Sequence, residues 1–392
     1  MKIGIITNLI HIDRFVKSEM AFADSKRWMS ATGGNTGNTA FVEGVKKIIK
    51  ADVVREVHWG DNPEQVKNAY DMLVICCANQ IGAHVDLGTW ADRLKAFDLP
   101  TMFIGLGAQS NNVGTHPEIP DGTKRLLELS KQLRTDSSVS NIITRGSFTS
   151  EVIESCGVDS NPFGCPSQFI STELNVGQKC LEHQTSTKHF RVLTAAGNPW
   201  HPSSVLEKTL VELVNQYQGD YVIQHPESLI KLCLNEGSTI DSKQQERLKT
   251  VYNSLGDWET ITSWFKSHGV LFADAQNWMH YSKRFSLAVG PRYHGVALPI
   301  QAGVPGKVIA IDSRTEELSS TTGIPFVRYK DVENSTSEEL INWCKWTSED
   351  AEYYDSVRAR NAGHYVQFLS KNKLEYASSL DALATQSSIT PE

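Results

Sequence analysis

The sequence predicts an α/β protein with two parallel sheets, each carrying helices on both faces. Strand-like apolar runs alternate with helical segments over residues 2–154 and again over residues 189–311. Alternation of this kind is typical of parallel sheets. A polar segment with few apolar side chains, residues 175–188, separates the two series. We therefore expect two domains, with the linker in that segment.

The first series runs from the N-terminus to about residue 154 by its pattern. Leu126, Leu129 and Leu133 fall on one face of a predicted amphipathic helix. A loop of glycine, asparagine and threonine, residues 33–39, precedes another helix. The predicted strands are 2–7, 73–77, 101–105 and 141–144, and the predicted helices are 40–49, 90–97, 123–133 and 147–154.

The second series repeats the pattern after the linker. Ser204 and Glu207 have the spacing of a capping box at the start of its first helix. The predicted strands are 189–194, 220–224, 270–273, 285–289 and 307–311, and the later helices are 244–255, 258–266 and 277–283.

Two helices are predicted to close the chain, at 337–346 and 349–374. Apolar side chains share one face of the long helix, with Asn361 as the polar exception, and Gly363 weakens its middle. We expect this helix to pack back across both domains and the polar tail to be frayed. The predicted divisions are an N-terminal domain 1–175, a C-terminal domain 176–348, a crossing helix 349–376 and a tail 377–392.

Composition and charge exclude several classes of protein. The 392 residues are 40% hydrophobic and carry a formal charge of −7, which argues against a nucleic-acid partner. No apolar run is long enough for a membrane span. The first strand follows Met1 and Lys2 directly, unlike a signal peptide. Seven cysteines without zinc spacing fit a reducing compartment, so a cytoplasmic location is expected and no metal site is predicted.

The most informative stretch is residues 289–305. An apolar strand ends at Gly290 and Pro291, and Arg292, Tyr293 and His294 follow immediately at the start of a helix. The backbone N–H groups and the positive end of a helix favour an anion there. A guanidinium group can fork onto a carboxylate or phosphate, and an imidazole can exchange a proton near neutral pH. This arrangement predicts an anion-binding site with an attached acid, although capping and ion pairing would explain an isolated Arg-x-His.

In the first series, other polar side chains follow predicted strands, where ligands bind in parallel sheets. Asn35, Gly37 and Asn38 belong to the glycine-rich loop, which can bind an anion or a sugar, or simply cap a helix. Gln109 follows a Gly-Leu-Gly turn and is a candidate hydrogen-bond donor. Arg145 ends another strand and is either a second cation for the same anion or part of a surface salt bridge.

The second series supplies further candidates at strand ends. Asn198 and Gln224 are placed to line a cleft. Asp274 can orient His294, act as a base or cap the helix that follows it. Arg314 can bind a ligand anion or pair with a nearby carboxylate to fix its own loop.

These motifs carry a family resemblance. Gly-x-Arg-x-His-Gly at 290–295, followed by Gln-Ala-Gly-Val-Pro at 301–305 and Asp-Ser-Arg-Thr at 312–315, resembles the polysaccharide pyruvyl transferase family. Arg145 and the Gly-Cys-Pro-Ser segment at 164–167 also resemble family positions. Asn38 stands where the family commonly has aspartate, so an acid or base role there is not expected.

The resemblance implies two Rossmann-like domains that face each other, as in GT-B enzymes, with acceptor bound by the first and donor by the second. It implies transfer of a pyruvyl group from phosphoenolpyruvate onto two hydroxyls of a sugar, forming a ketal in polysaccharide or exopolysaccharide biosynthesis without a cofactor. Arg145 and Arg292 would hold the donor, and a charged His294 would act as general acid, its pKa lowered by Arg292 and the helix end. Loops 15–30 and 111–122 would select the acceptor.

The sequence leaves two other functions open. A GT-B glycosyltransferase would place the diphosphate of a nucleotide sugar on Arg292. A non-catalytic glycan-binding relative would bind sugar without a donor. The sequence does not indicate an oligomeric state, and the free Cys165 has no neighbour in sequence that would activate it as a nucleophile.

Overall fold

A computed structural model of the chain describes residues 1–9, 23–109, 115–186 and 189–386. Within these ranges the protein is α/β, with two parallel sheets whose carboxyl edges face each other across a cleft. This confirms the predicted pair of Rossmann-like domains in a GT-B-like arrangement. Of the two loops predicted to select the acceptor, residues 15–22 and 111–114 lie outside the described residues.

In the described part of the chain, the first sheet has five strands in the order β2-β1-β3-β4-β5 and the second has six in the order β11-β10-β9-β6-β7-β8. The strands of the first sheet are β1 Lys2–Ile6, β2 Val53–Glu56, β3 Met72–Cys76, β4 Thr101–Leu106 and β5 Ile142–Thr144. Those of the second are β6 Val192–Ala195, β7 Asp220–Val222, β8 Gly269–Val270, β9 Leu287–Gly290, β10 Gly306–Ala310 and β11 Phe326–Arg328.

Helices connect the strands and cover both sheets. Those up to the first strand of the second sheet are α1 Ser25–Ala31, α2 Asn38–Ile48, α3 Pro63–Ala69, α4 Gly88–Phe97, α5 Asp121–Gln132, α6 Ser147–Glu154 and α7 Val176–Ser186. The remaining ones are α8 Leu206–Gln216, α9 Glu227–Cys233, α10 Ser242–Val251, α11 Trp258–His268, α12 Ala275–Ser282, α13 Tyr293–Gln301, α14 Ser313–Thr322, α15 Tyr329–Val332, α16 Ser337–Cys344, α17 Ser348–Lys371 and α18 Ser378–Gln386. Every helix in the described ranges is too short or too polar to traverse a lipid bilayer.

The central strands are apolar on both faces because helices cover both sides of each sheet. Every residue of β3 and β4 is buried, and the two strands pair in parallel from Leu73 opposite Thr101 to Cys76 opposite Ile104. The edge strand β2 has no buried residue, and its second half is charged. The hydrophobic runs therefore fix the register and bring the carboxyl ends of neighbouring strands to one edge.

The long helix α17 runs without a break through Gly363 and packs against α7 and α14. Arg358, on its inner face, is fully buried. Its guanidinium donates to the carbonyl oxygens of Gln168 at 2.7 Å and of Ser171 and Glu173 at 2.6 Å. One side chain thus fastens the crossing helix to the segment that leads from the first sheet to the second.

The inner face of α17 also carries Asn361, the polar exception in the predicted pattern. Its side-chain amide donates to Gln168 Oε1 at 3.1 Å and to the carbonyl oxygen of Thr321 at 2.8 Å. Thr321 belongs to α14 in the second series, whereas Gln168 precedes the linker. Asn361 therefore binds both halves of the chain to the crossing helix, and its polarity is explained by these partners.

Two segments differ from expectation. The polar segment predicted as linker forms the helix α7, whose first N–H groups donate to Asp355 of α17, at 2.7 Å from Gly177. The tail predicted to be frayed forms α18 up to Gln386, with Leu380 and Leu383 buried. Tertiary packing against α17 supplies the stability that the local sequences lack.

Candidate active site in the interdomain cleft

The carboxyl ends of strands from both sheets line one cleft of about 150 Å³. The first sheet contributes the loops that follow β3, β4 and β5, and the second contributes those that follow β7, β9 and β10. Ligands of parallel sheets bind at these edges. The lining residues are Asn35, Asn79, Gly107, Ala108, Arg145, Gln224, Pro291, Arg292, Tyr293, His294, Ile311, Asp312, Arg314, Thr315, Glu317 and Leu318.

Arg145 enters the cleft from the first sheet, immediately after β5. Its Nε donates to the carbonyl oxygen of Gly105 at 3.0 Å, and one terminal nitrogen donates to Asn79 Oδ1 at 2.8 Å. The guanidinium also lies 5.8 Å from the centre of the Phe41 ring. Burial lowers the pKa of Arg145, and Arg314 across the cleft lowers it further. The neutral partners Gly105, Asn79 and Phe41 hold the guanidinium group of Arg145 in place without neutralising its charge.

Arg292 enters from the second sheet, between β9 and α13. A terminal nitrogen donates weakly to the carbonyl oxygen of Gly197 at 3.5 Å, while the buried Nε has no partner among the described residues. Burial lowers the pKa of Arg292, although Glu207 opposes this effect. The helix α13 begins directly after Arg292 without a side-chain cap. This edge therefore offers unpaired donors and positive charge, which suit an anion.

His294 lies in the first turn of α13 and is partly buried. Its ring centre is 6.1 Å from that of Phe41, and its Nε2 is 3.5 Å from Sγ of Cys165. Burial, with Arg145 as the second cause, lowers the pKa of His294 to about 3. The imidazole is thus neutral near pH 7 in the unliganded protein. The sequence-based expectation of a charged imidazole is corrected here, because burial is the main cause of the lowered pKa and the charge of Arg145, rather than that of Arg292, is the second.

Two carboxylates, Asp312 and Glu317, and a third guanidinium, that of Arg314, line the cleft with the two arginines. Arg314 donates from Nε to Asp312 Oδ2 at 3.1 Å and from a terminal nitrogen to Gln109 Oε1 at 2.5 Å. Glu317 of α14 accepts the backbone N–H of Thr149, at 3.1 Å, in the first turn of α6. Burial raises the pKa of Glu317. The second domain therefore supplies a carboxylate that caps the helix following Arg145, which helps to hold the two domains together.

Three other predicted residues, Tyr293, Asn35 and Gln224, also line the cleft, and Gly37 lies beside them. Tyr293 donates its buried hydroxyl to Thr322 Oγ1 at 2.9 Å. Asn35 Oδ1 accepts the N–H of Gly37 at 2.8 Å. A Cβ at Gly37 would come within 2.3 Å of Gln224 Oε1, so a larger residue there would displace the amide of Gln224. The buried Nε2 of Gln224 has no partner within the described part of the chain.

Apart from Gly37, four predicted residues lie outside the lining of the cleft. Asn38 donates to the carbonyl oxygen of Thr32 at 2.9 Å and so fastens its own loop. Asn198 Oδ1 accepts the N–H of Trp200 at 3.1 Å within a turn. Asp274 caps α12 by accepting the N–H of Asn277 at 2.7 Å, which confirms the capping alternative. Gln109 lies beside the cleft, where it acts through Arg314.

Glu207 is a buried acid behind the site whose role the sequence did not reveal. The predicted capping box with Ser204 does not form, because Ser204 lies inside the 3-10 turn Pro202–Val205 that precedes α8. Its Oγ accepts from Arg247 at 3.0 Å. Glu207 accepts hydrogen bonds from the hydroxyl of Tyr221 and the N–H of Gly197, whose carbonyl oxygen contacts Arg292. Burial raises the pKa of Glu207 to about 7. No sequence signal indicates this network, since it joins residues from four separate loops and strands.

Asn79 is a second functional candidate that sequence reasoning missed. It follows β3 and orients Arg145 through the bond described above. Its position three residues beyond a buried strand is the same signal that identified Gln109 and Arg145. Among the described residues, no group of three or more His, Cys, Asp or Glu side chains is arranged to hold a metal ion.

The chain was compared with curated protein sequences, with solved structures and with protein families. No curated protein sequence is significantly similar to this chain. Several solved structures resemble it at low identity. A putative UDP-N-acetylglucosamine 2-epimerase from Listeria monocytogenes is 9% identical, with a TM-score of 0.42, over 94% of this chain and 98% of that one. S. aureus MnaA in complex with UDP is 10% identical, with a TM-score of 0.43, over 95% and 98% of the two chains.

A third similar structure, Anabaena Alr3699/HepE in complex with UDP and glucose, is 11% identical, with a TM-score of 0.43, over 95% of this chain and 97% of that one.

The family comparison is more specific. Residues 35–313 match the family described as polysaccharide pyruvyl transferase. This range includes Arg145, Arg292 and His294 and ends at the first residue of α14. The chain belongs to the polysaccharide pyruvyl transferase family.

Proposed function

We propose that this protein transfers the enolpyruvyl group of phosphoenolpyruvate onto two hydroxyls of one sugar, forming a pyruvate ketal on a glycan or glycan precursor. The observation that carries the proposal is the meeting of Arg145 from one sheet and Arg292 from the other in a single cleft that also contains His294. A small donor with two anionic groups fits cations that approach from opposite sides.

Phosphoenolpyruvate carries a carboxylate and a phosphate on adjacent atoms of a three-carbon skeleton. Guanidinium groups bind both kinds of anion with paired hydrogen bonds. Nε of Arg292 and Nε2 of Gln224 are buried donors that lack a partner in the described residues, and both side chains line the cleft. Buried donors of this kind favour a ligand that supplies acceptor oxygens. The uncapped first turn of α13 adds backbone donors at the same edge.

His294 is the group best placed to move a proton. In the unliganded protein it is neutral, because burial and Arg145 hold the pKa of His294 near 3. A bound anionic donor neutralises Arg145 and adds negative charge beside the ring, which raises the pKa of His294. The donor therefore brings about the protonation that its own chemistry needs. An acid that becomes charged only with donor present also avoids burying three cations without a counter-ion.

The reaction follows from these positions. The imidazolium gives its proton to the methylene carbon of the donor, and the neighbouring carbon gains cationic character. A sugar hydroxyl attacks that carbon and returns its proton to the imidazole. Phosphate then leaves with its electron pair, stabilised by the guanidinium groups. The second hydroxyl closes the ring and its proton passes to the departing phosphate.

The test is phosphate release from phosphoenolpyruvate across a panel of galactosides, glucosides and N-acetylmannosamine derivatives. We expect release that depends on one acceptor class, and loss of that release in His294→Asn, whose side chain keeps polarity without a titrating nitrogen. Thermal stabilisation is measured in parallel. Stabilisation by UDP or CMP but not by phosphoenolpyruvate, with no phosphate released from any acceptor, would overturn the proposal.

A further inference from the structure

Cys165 contacts His294 but is not among the residues that line the cleft. It is completely buried at the start of the short 3-10 turn Pro166–Phe169, and its Sγ lies 3.5 Å from His294 Nε2. Ser167 donates its hydroxyl to the same sulfur at 3.1 Å. The contact joins residues 129 positions apart in sequence, from the first domain to the second. A chain Ser167–Cys165–His294 therefore supports the imidazole from behind.

This contact decides which ring nitrogen is left for a ligand. Nε2 faces a sulfur atom that has no solvent exposure, while the His294 side chain itself contributes to the cleft. With Nε2 engaged, Nδ1 is the nitrogen that remains for chemistry. The partner on the second nitrogen of a histidine commonly fixes its orientation and tautomer.

A thiol suits this position because it can both donate and accept a hydrogen bond. Sulfur accepts a hydrogen bond from an Nε2–H, and a thiol S–H donates to an unprotonated Nε2. Burial raises the pKa of Cys165, so the group remains a neutral thiol despite the nearby Arg145. A carboxylate in its place would raise the pKa of the imidazole and favour its charged form. A neutral thiol instead allows His294 to gain and lose a proton without losing its partner.

We propose that Cys165 is a positioning residue that holds Nε2 of His294, so that Nδ1 alone gives and receives the proton of the transfer reaction. The inference rests on the proposed function. In the donor complex the imidazolium keeps Nε2–H on sulfur and gives its Nδ1 proton to the methylene carbon of phosphoenolpyruvate. The lone pair left on Nδ1 then takes the proton of the attacking sugar hydroxyl, which restores the starting imidazolium. The thiol neither gains nor loses a proton.

The charged and titratable groups around the ring set the expected pH dependence. Arg145 approaches from the end of β5, and Tyr293 is the preceding residue. Arg292, Arg314, Asp312 and Glu317 line the same cleft. All of these groups remain in a Cys165→Ala variant, and only the thiol is lost. That variant leaves Nε2–H without a partner in a buried place, which destabilises the imidazolium. The limb of the kcat profile that reports His294 should therefore move to lower pH.

The experiment compares Cys165→Ala and Cys165→Ser with Cys344→Ala, a matched control at a buried cysteine on α16. We expect Cys165→Ala to lower kcat about tenfold, the effect of one ordinary hydrogen bond, with donor KM changed less than about twofold. Cys165→Ser should recover most of kcat and the wild-type pH profile, because a hydroxyl also donates and accepts. The control should leave both unchanged.

A second readout does not depend on turnover. Ring ¹⁵N spectra of the unliganded protein report the state of each histidine nitrogen, and His294→Asn identifies the signals. We expect the Nε2 resonance of His294 to shift in Cys165→Ala and to return towards its original position in Cys165→Ser. If phosphoenolpyruvate is not the donor, every variant is inactive but this shift remains, which separates the two failures. Unchanged ring signals, or an unchanged pH profile in Cys165→Ala, would overturn the inference.

Discussion

Glu207→Gln tests the buried carboxyl network behind Arg292. Glu207 is 1% exposed and accepts hydrogen bonds from Tyr221 and from the N–H of Gly197. Burial raises its pKa from 4.5 to about 7. Above pH 4.5 the unfolded chain therefore releases a proton that the folded protein keeps, and the free energy of unfolding falls as pH rises to about 7. Glutamine keeps an acceptor oxygen for both donors but does not titrate.

The magnitude follows from the size of the shift. Each pKa unit corresponds to about 1.4 kcal/mol, so the wild-type protein should lose about 3 kcal/mol through this group between pH 4.5 and 8. Glu207→Gln lacks that loss. The difference in unfolding free energy between variant and wild type should thus grow by about 3 kcal/mol in favour of the variant over the same range.

The assay is urea unfolding of both proteins at three pH values across that range. Glu352→Gln, at an exposed position on α17, is the control and should change the difference by less than about 0.5 kcal/mol. Parallel pH curves for wild type and Glu207→Gln would refute the reasoning, because they would mean that Glu207 ionises as readily in the folded protein as in the unfolded chain.

Three further predictions concern the helix that crosses both domains and the donor site. Arg358→Met should lower the free energy of unfolding by about 3 kcal/mol, because three carbonyl oxygens lose their buried donor. The measurement is urea unfolding, and a change below about 1 kcal/mol would contradict the prediction. Asn79→Ala should weaken phosphoenolpyruvate binding about fivefold by calorimetry, because Arg145 loses an orienting partner, and unchanged affinity would count against that role. At about pH 5.5, donor binding to the wild-type protein should take up about one proton more than donor binding to His294→Asn, because the donor raises the pKa of His294. Proton uptake is measured by calorimetry in buffers of different ionisation enthalpy. Equal uptake by the two proteins would show that His294 does not become charged.

The features that the sequence predicted well are those with local causes. Strands such as β3 and β4 are continuous apolar runs, and the strand–helix junction at Arg292 has its own glycine and proline signals. Because ligands bind at the carboxyl ends of parallel strands, these local patterns are enough to predict that Arg145, Arg292 and His294 share one cleft. The three side chains do meet there.

Features with non-local causes were not predictable. Arg358 was not singled out within the long predicted helix, because its partners are carbonyl oxygens that come near it only in the folded chain. The pKa of His294 depends on burial and on Arg145 from the other domain, so its charge could not be read from neighbours in sequence. The helices α7 and α18 are weakly patterned and depend on packing against α17. Long-range contacts, rather than local propensity, determine the partners of Arg358, the charge of His294 and the formation of α7 and α18.

The most direct test of the central claim is calorimetric titration of phosphoenolpyruvate into wild type, Arg145→Gln and Arg292→Gln. Both guanidinium groups line the cleft from opposite sheets, and a donor held between them must contact both. We predict that each substitution weakens donor binding at least about tenfold, equivalent to about 1.4 kcal/mol. Wild-type affinity in either variant would contradict the account, because the donor would then be bound by one domain alone.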